Sequence, residues 1–246
     1  MKVLLTATVT PTVVGHLHIS DPATRRRHYL GSLRRWVPLA AHLGAELVLV
    51  ENSGEDLASL TKDALGEIPQ HVLLLPAELP APELVQRGKG ATEAAMMDLF
   101  CDQFFDDPAE VWFKCTGRLF VSNFCECVPA PLPPHALAAR LSLRLDYLDS
   151  RFFGATAQLW RTHFTGAGAE VWEPDDFPIE KVLARRTLTA LGQGARLVRF
   201  ATQPAIVGRS GTHARRTYNS PVRSIKRLAT NQLENLLKGP LKGKMY

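Results

Sequence analysis

The sequence has few cysteines and no long apolar runs, and each shortage excludes a class of protein. No stretch of its 246 residues reaches the roughly 20 apolar residues that a membrane-spanning helix needs. Only Val3-Leu4-Leu5 stands between Lys2 and Thr6, far short of the apolar segment of a secretory signal. We therefore expect a cytoplasmic, globular protein.

The cysteine and histidine patterns predict no structural metal site. A disulfide framework needs more cysteines, more widely spread, than Cys101, Cys115, Cys125 and Cys127. Three of these could be metal ligands, but no second ligand pair follows at zinc-site spacing, and reduced core thiols are the interpretation that we adopt. His16 and His18 are the histidine pair nearest to a metal-ligand spacing, and a flexible loop pair is the interpretation that we adopt. No nucleophile-elbow motif is present.

The positive net charge of +5 belongs to the end of the sequence. Residues 209–246 contain nine Lys or Arg against one acid, whereas residues 1–208 contain twenty against twenty-three. From Ser220-Pro221 onward, an apolar stripe flanked by Arg223, Lys226 and Arg227 predicts an amphipathic helix. Such a tail suits docking on the anionic inner face of a membrane, and a helix packed on the body is the alternative. Nucleic-acid binding is disfavoured, since the tail has few aromatic residues.

Strand-like and helix-like segments alternate over about the first 125 residues. Apolar runs predict strands over Lys2–Thr8, Ala45–Val50, His71–Leu75 and from Val111. Segments with apolar residues at helical spacing lie between these strands. We therefore predict an α/β fold with a mostly parallel sheet flanked by helices. Asp21-Pro22 is predicted to begin a long helix that Pro38 kinks or ends early.

The later pattern differs. Alternation over 141–146 predicts a half-buried strand. Asp175 and Asp176 are predicted to cap a helix whose buried face carries Ile179, Val182 and Leu183. Residues 195–202 are predicted to form a last strand.

Two short segments carry chemistry suited to an anionic ligand. The fourth predicted strand breaks its apolar run at Lys114, Thr116, Gly117 and Arg118. Cations at a strand end suit phosphates, although an ordinary strand with two basic side chains reaching solvent is the alternative. Gly88-Lys89-Gly90, at the start of a helix, is a potential anion cradle or a simple turn, and Glu93 in that first turn complements the helix dipole.

The order of these motifs resembles that of bacterial GT-A-type glycosyltransferases that build capsule, O-antigen and other surface polysaccharides. The resemblance covers about residues 1–200. It rests on Thr-Pro after the first strand, an arginine-rich helix and Glu-Asn-Ser after the second strand. Gly-Lys-Gly-x-x-Glu, Lys-x-Thr-Gly-Arg and Asp-Ser-Arg-Phe-Phe follow in that order. It implies a GT-A-like domain over 1–208, with a nucleotide-binding half to about 125 and an acceptor half after it, and a basic tail over 209–246.

The resemblance also implies a site. The base, ribose and diphosphate of a nucleotide-sugar donor would be lined by Thr8, Pro11, Arg25, Glu51, Asn52 and Lys89. An Asp-x-Asp motif that holds Mn²⁺ or Mg²⁺ is expected on the fourth strand, but Lys114 to Arg118 stand there, so the metal dependence implied by the family is in doubt. Lys114 and Arg118 would offset the charge of the leaving group directly, with Thr116 and Gly117 between them.

Three acidic residues and one arginine complete the predicted site. Glu180 is the first choice, and Asp149 the second, for the carboxylate that deprotonates the acceptor hydroxyl. A solvated helix residue is the alternative for Glu180. Asp149 or Asp146 would be the metal ligand if there is one, or else part of a strand-end turn. Arg151 would contact a phosphate or carboxylate, or pair with Asp149.

We therefore expect a hexosyltransferase-type enzyme that moves a sugar to a surface-glycan acceptor, lipid-linked in some cases, by single displacement. A sugar nucleotidyltransferase is the alternative, although it would need a glycine- and arginine-rich loop where Pro11 to His18 stand. A nucleic-acid-binding module is the third hypothesis.

Overall fold

A computed structural model describes residues 1–12, 17–129 and 131–209. The strands are β1 Lys2–Ala7, β2 Glu46–Glu51, β3 Val72–Pro76, β4 Val111–Thr116, β5 Phe120–Val121, β6 Ala136–Ala138, β7 Phe152–Thr156, β8 Arg196–Val198 and β9 Ile206–Val207. The helices are α1 Pro22–His42, α2 Leu57–Leu65, α3 Pro82–Arg87, α4 Lys89–Phe104, α5 Phe124–Cys127, α6 Ala157–His163 and α7 Ile179–Gly192. The predicted tail helix and His16 lie outside the described residues.

A seven-stranded sheet with the order β3-β2-β1-β4-β7-β6-β8 organises the described chain. Pairings among β1 to β4 are parallel, as is that of β6 with β8, whereas β7 runs antiparallel to both of its neighbours. Strands β5 and β9 form a separate small sheet. The predicted α/β fold, a mostly parallel sheet flanked by helices, is confirmed.

Apolar strands feed two cores, one on each face of the sheet. In β1, Val3 and Leu5 point into the core beneath α1 and α2, and Leu4 points into the core beneath α4, α6 and α7. Because successive strand side chains alternate between faces, a continuous apolar run is what a sheet covered on both sides requires.

Helix α1 begins as predicted and ends later than predicted. The Asp21 side chain accepts a hydrogen bond from the Thr24 N–H, and Pro22 occupies the first turn. The helix nevertheless continues through Pro38 to His42. Pro38 removes one backbone hydrogen bond, but Val37 and Ala40 are buried on either side of it, so packing holds the last turn in place.

The strand predicted over 141–146 is wrong. This segment is a tight loop closed by a single bridge between Leu141 and Leu148. The Ser142 hydroxyl donates a 2.6 Å hydrogen bond to Asp146, and Leu145 has a φ of +61°. Local side-chain hydrogen bonds thus compete successfully with strand pairing.

The predicted caps of α7 are also wrong, although its buried face is confirmed. Asp175 ends a short 3₁₀ turn, Glu173–Asp175, and Asp176 follows in a left-handed conformation. Pro178 precedes the helix without a side-chain cap, and Ile179, Val182 and Leu183 are buried as predicted.

Three cysteines are core thiols, as predicted. Cys101, Cys115 and Cys127 are buried and Cys125 is exposed. Burial raises the pKa of Cys115 and of Cys127 to about 12. Among the helices that the structure describes, none has the length and apolarity needed to cross a bilayer.

Candidate active site

A cleft of about 600 Å³ opens beyond the carboxyl ends of β1, β2 and β4. In open α/β sheets this edge is where ligands bind, because parallel strands deliver their following loops to one place. Ten of the residues predicted for the site line this cleft: Thr8, Pro11, Arg25, Asn52, Lys89, Thr116, Arg118, Asp149, Arg151 and Glu180. Glu51, Lys114 and Gly117 lie behind its wall, and Asp146 is exposed outside it.

The side chain of Lys114 is fully buried under the cleft. Its ammonium lies 2.7 Å from Glu93 Oε1 and donates to the Ser150 carbonyl at 2.6 Å and to the Thr116 hydroxyl at 3.2 Å. An ammonium has three protons, so these partners satisfy it. The direct donor contact predicted for Lys114 does not fit this placement.

Glu93 connects α4 to the ends of β1 and β4. Besides Lys114, its Oε1 accepts a 2.7 Å hydrogen bond from the Thr6 hydroxyl, and about a fifth of the side chain remains exposed to the cleft. Burial opposes ionisation of this carboxyl, but the Lys114 charge and the two hydrogen bonds lower its pKa. Glu93 is therefore an anion at neutral pH. From the sequence we predicted only a helix-dipole role for Glu93, since its partner Lys114 is 21 residues away.

Glu180 presents a different carboxyl to the same cleft. It comes from the first turn of α7, and its Oε1 accepts a 2.8 Å hydrogen bond from the Ser150 hydroxyl. Burial, assisted by the charge of Glu93, raises the pKa of Glu180 even though the Ser150 bond lowers it. Tyr147, which also lines the cleft, lies within hydrogen-bonding reach of Glu180. A carboxyl with a raised pKa in a cleft has the properties of a general base.

Asp149 and Arg151 face each other across one turn. The Arg151 guanidinium bonds both Asp149 oxygens, with Nε at 2.7 Å from Oδ1 and Nη2 at 2.5 Å from Oδ2. Pairing with Asp149 was one of the two predicted roles of Arg151. With both oxygens engaged by a cation, Asp149 is a weaker candidate base than Glu180.

Two arginines, Arg25 and Arg118, make another part of the cleft wall cationic. Arg25 is buried, and its guanidinium donates to the carbonyls of Thr8 and Ile19 and to the Tyr29 hydroxyl. Arg118 donates from Nη1 to the Arg209 carbonyl, and its buried Nε has no hydrogen-bond partner among the described residues. Since these acceptors are neutral, neither positive charge is paired within the described chain.

The effect of these charges is visible at His28. Its pKa is lowered by burial and then by four arginines, of which Arg118 is the strongest contributor. Burial likewise lowers the pKa of Arg25, and the charge of Arg118 lowers it further. Two guanidinium groups that repel each other in a cleft are complementary to an anion. Arg209, the first residue of the predicted tail, lines the same cleft.

Glu51 and Gly117 shape the cleft from behind. The buried Glu51 carboxylate accepts hydrogen bonds from the backbone N–H groups of Val9, Ser53 and Glu55, and so fixes the loops after β1 and β2. Asn52 is thereby placed to accept a 2.7 Å hydrogen bond from Thr8. Gly117 packs where a Cβ would lie 2.8 Å from the Thr6 carbonyl oxygen. The donor-binding roles of Glu51 and Gly117 remain predictions. In the structure, Glu51 fixes the backbone of the loops after β1 and β2, and Gly117 allows the chain after β4 to pack closely against β1.

The Gly88-Lys89-Gly90 segment begins α4, but a side chain occupies one of its N–H groups. Glu173 Oε1 accepts a 2.8 Å hydrogen bond from the Gly90 N–H. A Cβ on Gly88, whose φ is +113°, would lie 2.5 Å from the carboxyl carbon of Glu173. The predicted anion cradle is thus filled by the chain's own carboxylate, and Lys89 is the part of the motif that faces the cleft.

The described residues do not fit a divalent metal. Such ions need several oxygen ligands, usually carboxylates, around one point. Asp149 is held by Arg151, Asp146 is exposed and bonded to Ser142, and the described residues contain no cluster of three His, Cys, Asp or Glu side chains placed to hold a metal. Neither residue predicted as a metal ligand is placed with partners for that role.

No protein-family model matches the chain, and no curated protein matches it. Among solved structures, it is similar to a protein of Desulfovibrio desulfuricans assigned as a nucleotide-diphospho-sugar transferase (13% identity, 81% of this chain, 80% of that chain, TM-score 0.46). It is also similar to the galactosyltransferase LgtC (10% identity, 81% of this chain, 73% of that chain, TM-score 0.46). A third similar structure is the inositol-1-phosphate CTP transferase of T. maritima (12% identity, 100% of this chain, 98% of that chain, TM-score 0.48). These matches are remote, and the function proposed below does not depend on them.

Proposed function

We propose that this protein is a glycosyltransferase that moves a sugar from a nucleotide-sugar donor to an acceptor hydroxyl by single displacement. The observation that carries the proposal is one cleft lined both by two cations, Arg25 and Arg118, and by a half-buried carboxyl of raised pKa, Glu180. Cations suit the donor diphosphate, and the carboxyl suits the acceptor.

The reaction follows from this arrangement. The acceptor oxygen attacks the anomeric carbon of the donor, the bond from that carbon to the diphosphate oxygen breaks, and the acceptor proton passes to the Glu180 carboxylate. The negative charge that develops on the leaving diphosphate is stabilised by Arg118, whose Nε has no partner in the described chain, together with Lys89 and Arg209. Single displacement is favoured because no nucleophile motif is present.

The nucleotide end of the donor is assigned to the loops after β1 and β2. Thr8, Pro11, Asn52 and Ser53 line that end of the cleft. Glu51 fixes the loop backbone, so these groups are held in place before a ligand binds.

The finer part of the proposal comes from the sequence resemblance. In this finer proposal the donor carries a hexose, and the acceptor is a surface glycan, lipid-linked in some cases. The reaction takes place at the inner face of the membrane. Sedimentation of the full chain with vesicles containing anionic lipid tests the tail. Replacing Arg223, Lys226 and Arg227 by Gln is expected to abolish sedimentation, and unchanged sedimentation would contradict membrane docking through the tail.

Thermal-shift measurement with UDP, GDP, CMP, ADP and a short oligonucleotide, with and without Mn²⁺, tests the central claim. We expect one nucleoside diphosphate to raise the melting temperature, because a ligand that binds only the folded state stabilises it. The Glu180→Gln variant should bind that nucleotide as well as the wild type. A response to the oligonucleotide alone would overturn the proposal.

A further inference from the structure

A continuous set of hydrogen bonds runs beneath the cleft from one carboxyl to the other. It starts at Glu93 Oε1, which contacts the Lys114 ammonium at 2.7 Å. Lys114 donates in turn to the Ser150 carbonyl at 2.6 Å, and the Ser150 hydroxyl donates to Glu180 Oε1 at 2.8 Å. Lys114 therefore links α4 and β4 to the segment that holds Glu180.

The far end of this set is attached to Glu180 at two points. Besides the Ser150 hydroxyl on the side chain, the Leu148 N–H donates to the Glu180 backbone carbonyl at 3.0 Å. Ser150 is 5% exposed, so solvent does not compete strongly for its hydroxyl. A displacement of residues 148–150 would therefore move the carboxyl of Glu180.

We propose that Glu93 and Lys114 are positioning residues for Glu180, acting through Ser150. The inference rests on the function proposed above, because it takes Glu180 as the group that receives the acceptor proton. Lys114 fixes the Ser150 carbonyl, and Glu93 holds Lys114 in place with help from Thr6. Neither Lys114 nor Ser150 needs to touch the reacting atoms for this role.

The two partners of the ion pair act on Glu180 in opposite senses. The negative charge of Glu93 favours the protonated form of Glu180, whereas the Ser150 hydrogen bond that Lys114 supports favours the carboxylate. Removing Glu93 should lower the pKa of Glu180. Removing Lys114 takes away the donor that fixes the Ser150 carbonyl and so loosens the Ser150 hydrogen bond to Glu180, which should raise that pKa.

NMR titration of protein labelled with ¹³C at the glutamate side-chain carboxyls tests this directly and requires no substrate. The Glu180 signal is identified by its loss in Glu180→Gln. We expect the Glu180 titration to move to lower pH in Glu93→Gln and to higher pH in Lys114→Met and Ser150→Ala. Should Lys114→Met fail to fold, Glu93→Gln and Ser150→Ala give the same pair of opposite shifts.

Asp98→Asn is the matched control. Asp98 lies on α4 and accepts hydrogen bonds from Trp160 Nε1 and from the Gly166 N–H, away from the cleft. It should leave the Glu180 titration unchanged. A titration of Glu180 that does not move in Glu93→Gln and Ser150→Ala, or that moves equally in Asp98→Asn, would overturn the inference.

Failure of the proposed function gives a different result. If no nucleotide binds but Glu180 shifts in the two opposite directions, the positioning network stands and the transferase proposal falls. If nucleotide binding is found and the Glu180 titration is unaffected by every variant, the transferase proposal stands and the positioning inference falls.

Discussion

The ammonium of Lys114 lies 2.7 Å from the carboxylate of Glu93, and the lysine side chain has no exposure to solvent. A buried cation with an anionic partner contributes little net charge to the cleft. Of the two cations that interrupt the fourth strand, Arg118 is therefore the one available to a ligand, and Lys114 belongs to the support beneath it.

Removing only the cation of the ion pair should cost more stability than removing both charges. Lys114→Met leaves the carboxylate of Glu93 largely buried without its cation, so we expect a loss of about 3 kcal/mol in the free energy of unfolding. The double variant Glu93→Gln with Lys114→Met should lose less than Lys114→Met alone. Urea denaturation measures the free energy of unfolding of the wild type, of Lys114→Met and of the double variant.

A surface pair provides the control for that series. Lys181 pairs with Asp176, which is 88% exposed. Lys181→Met is expected to cost less than about 1 kcal/mol. Equal losses for Lys114→Met and Lys181→Met would contradict the importance assigned to the buried pair.

The lowered pKa of Glu93 sets the pH dependence of this contribution. An acid whose pKa is lower in the folded state stabilises the fold above its unfolded pKa, and the stabilisation is lost as pH falls through the folded pKa. The difference in unfolding free energy between wild type and Glu93→Gln should therefore shrink as the solution is acidified below the ordinary carboxyl pKa. A difference that is constant with pH would contradict an ionised Glu93.

Glu180→Gln should separate activity from stability. Loss of the general base is expected to lower kcat by about 10²- to 10⁴-fold. Because the pKa of Glu180 is raised in the folded protein, its contribution to stability is lost as pH rises through that pKa. Glu180→Gln should thus gain melting temperature relative to wild type as pH rises. A variant that is as active as wild type would reject Glu180 as the base.

The wild-type rate gives a companion observation. A general base must be deprotonated, so kcat should rise with pH through the pKa of Glu180, which is raised from the ordinary value of a glutamate. A rate that is flat from acid to neutral pH would indicate that another group accepts the proton.

Arg118→Met is expected to weaken nucleoside diphosphate binding by about 10- to 100-fold, since hydrogen bonds to charged groups are worth about 1.5–3 kcal/mol. Binding of the corresponding nucleoside, which lacks the diphosphate, should change little. Isothermal titration calorimetry measures both. Arg196→Met, an exposed arginine on β8, is the control. Equal weakening of nucleoside and diphosphate would place Arg118 away from the phosphates.

Nucleoside diphosphate binding is expected to persist in EDTA. The cleft offers guanidinium groups to the diphosphate, and its carboxylates are engaged by Lys114, Ser150 and Arg151. Calorimetry with EDTA and with Mn²⁺ makes the comparison. A strict requirement for Mn²⁺ would contradict recognition of the diphosphate by arginine.

Much of the architecture followed from local pattern. Apolar runs located β1 to β4 within about a residue at most ends, and Asp21-Pro22 located the start of α1, because a capping side chain acts on the turn beside it. The strand expected at 141–146 failed because period-two alternation does not show whether a neighbouring strand is available. Ser142 and Asp146 closed a loop instead.

The sequence by itself was sufficient to predict which basic and acidic residues follow the ends of the strands that border the site. Ten of the thirteen residues predicted as catalytic or donor-binding line one cleft. Only the tertiary structure decided what each charge does. Lys114 and Arg118 are four residues apart, yet Glu93 from α4 pairs with one and no carboxylate pairs with the other in the described chain. An ion pair is formed by groups that are close in space. The spacing of residues along a strand does not predict which helix packs against that strand, so it does not predict which cation is paired.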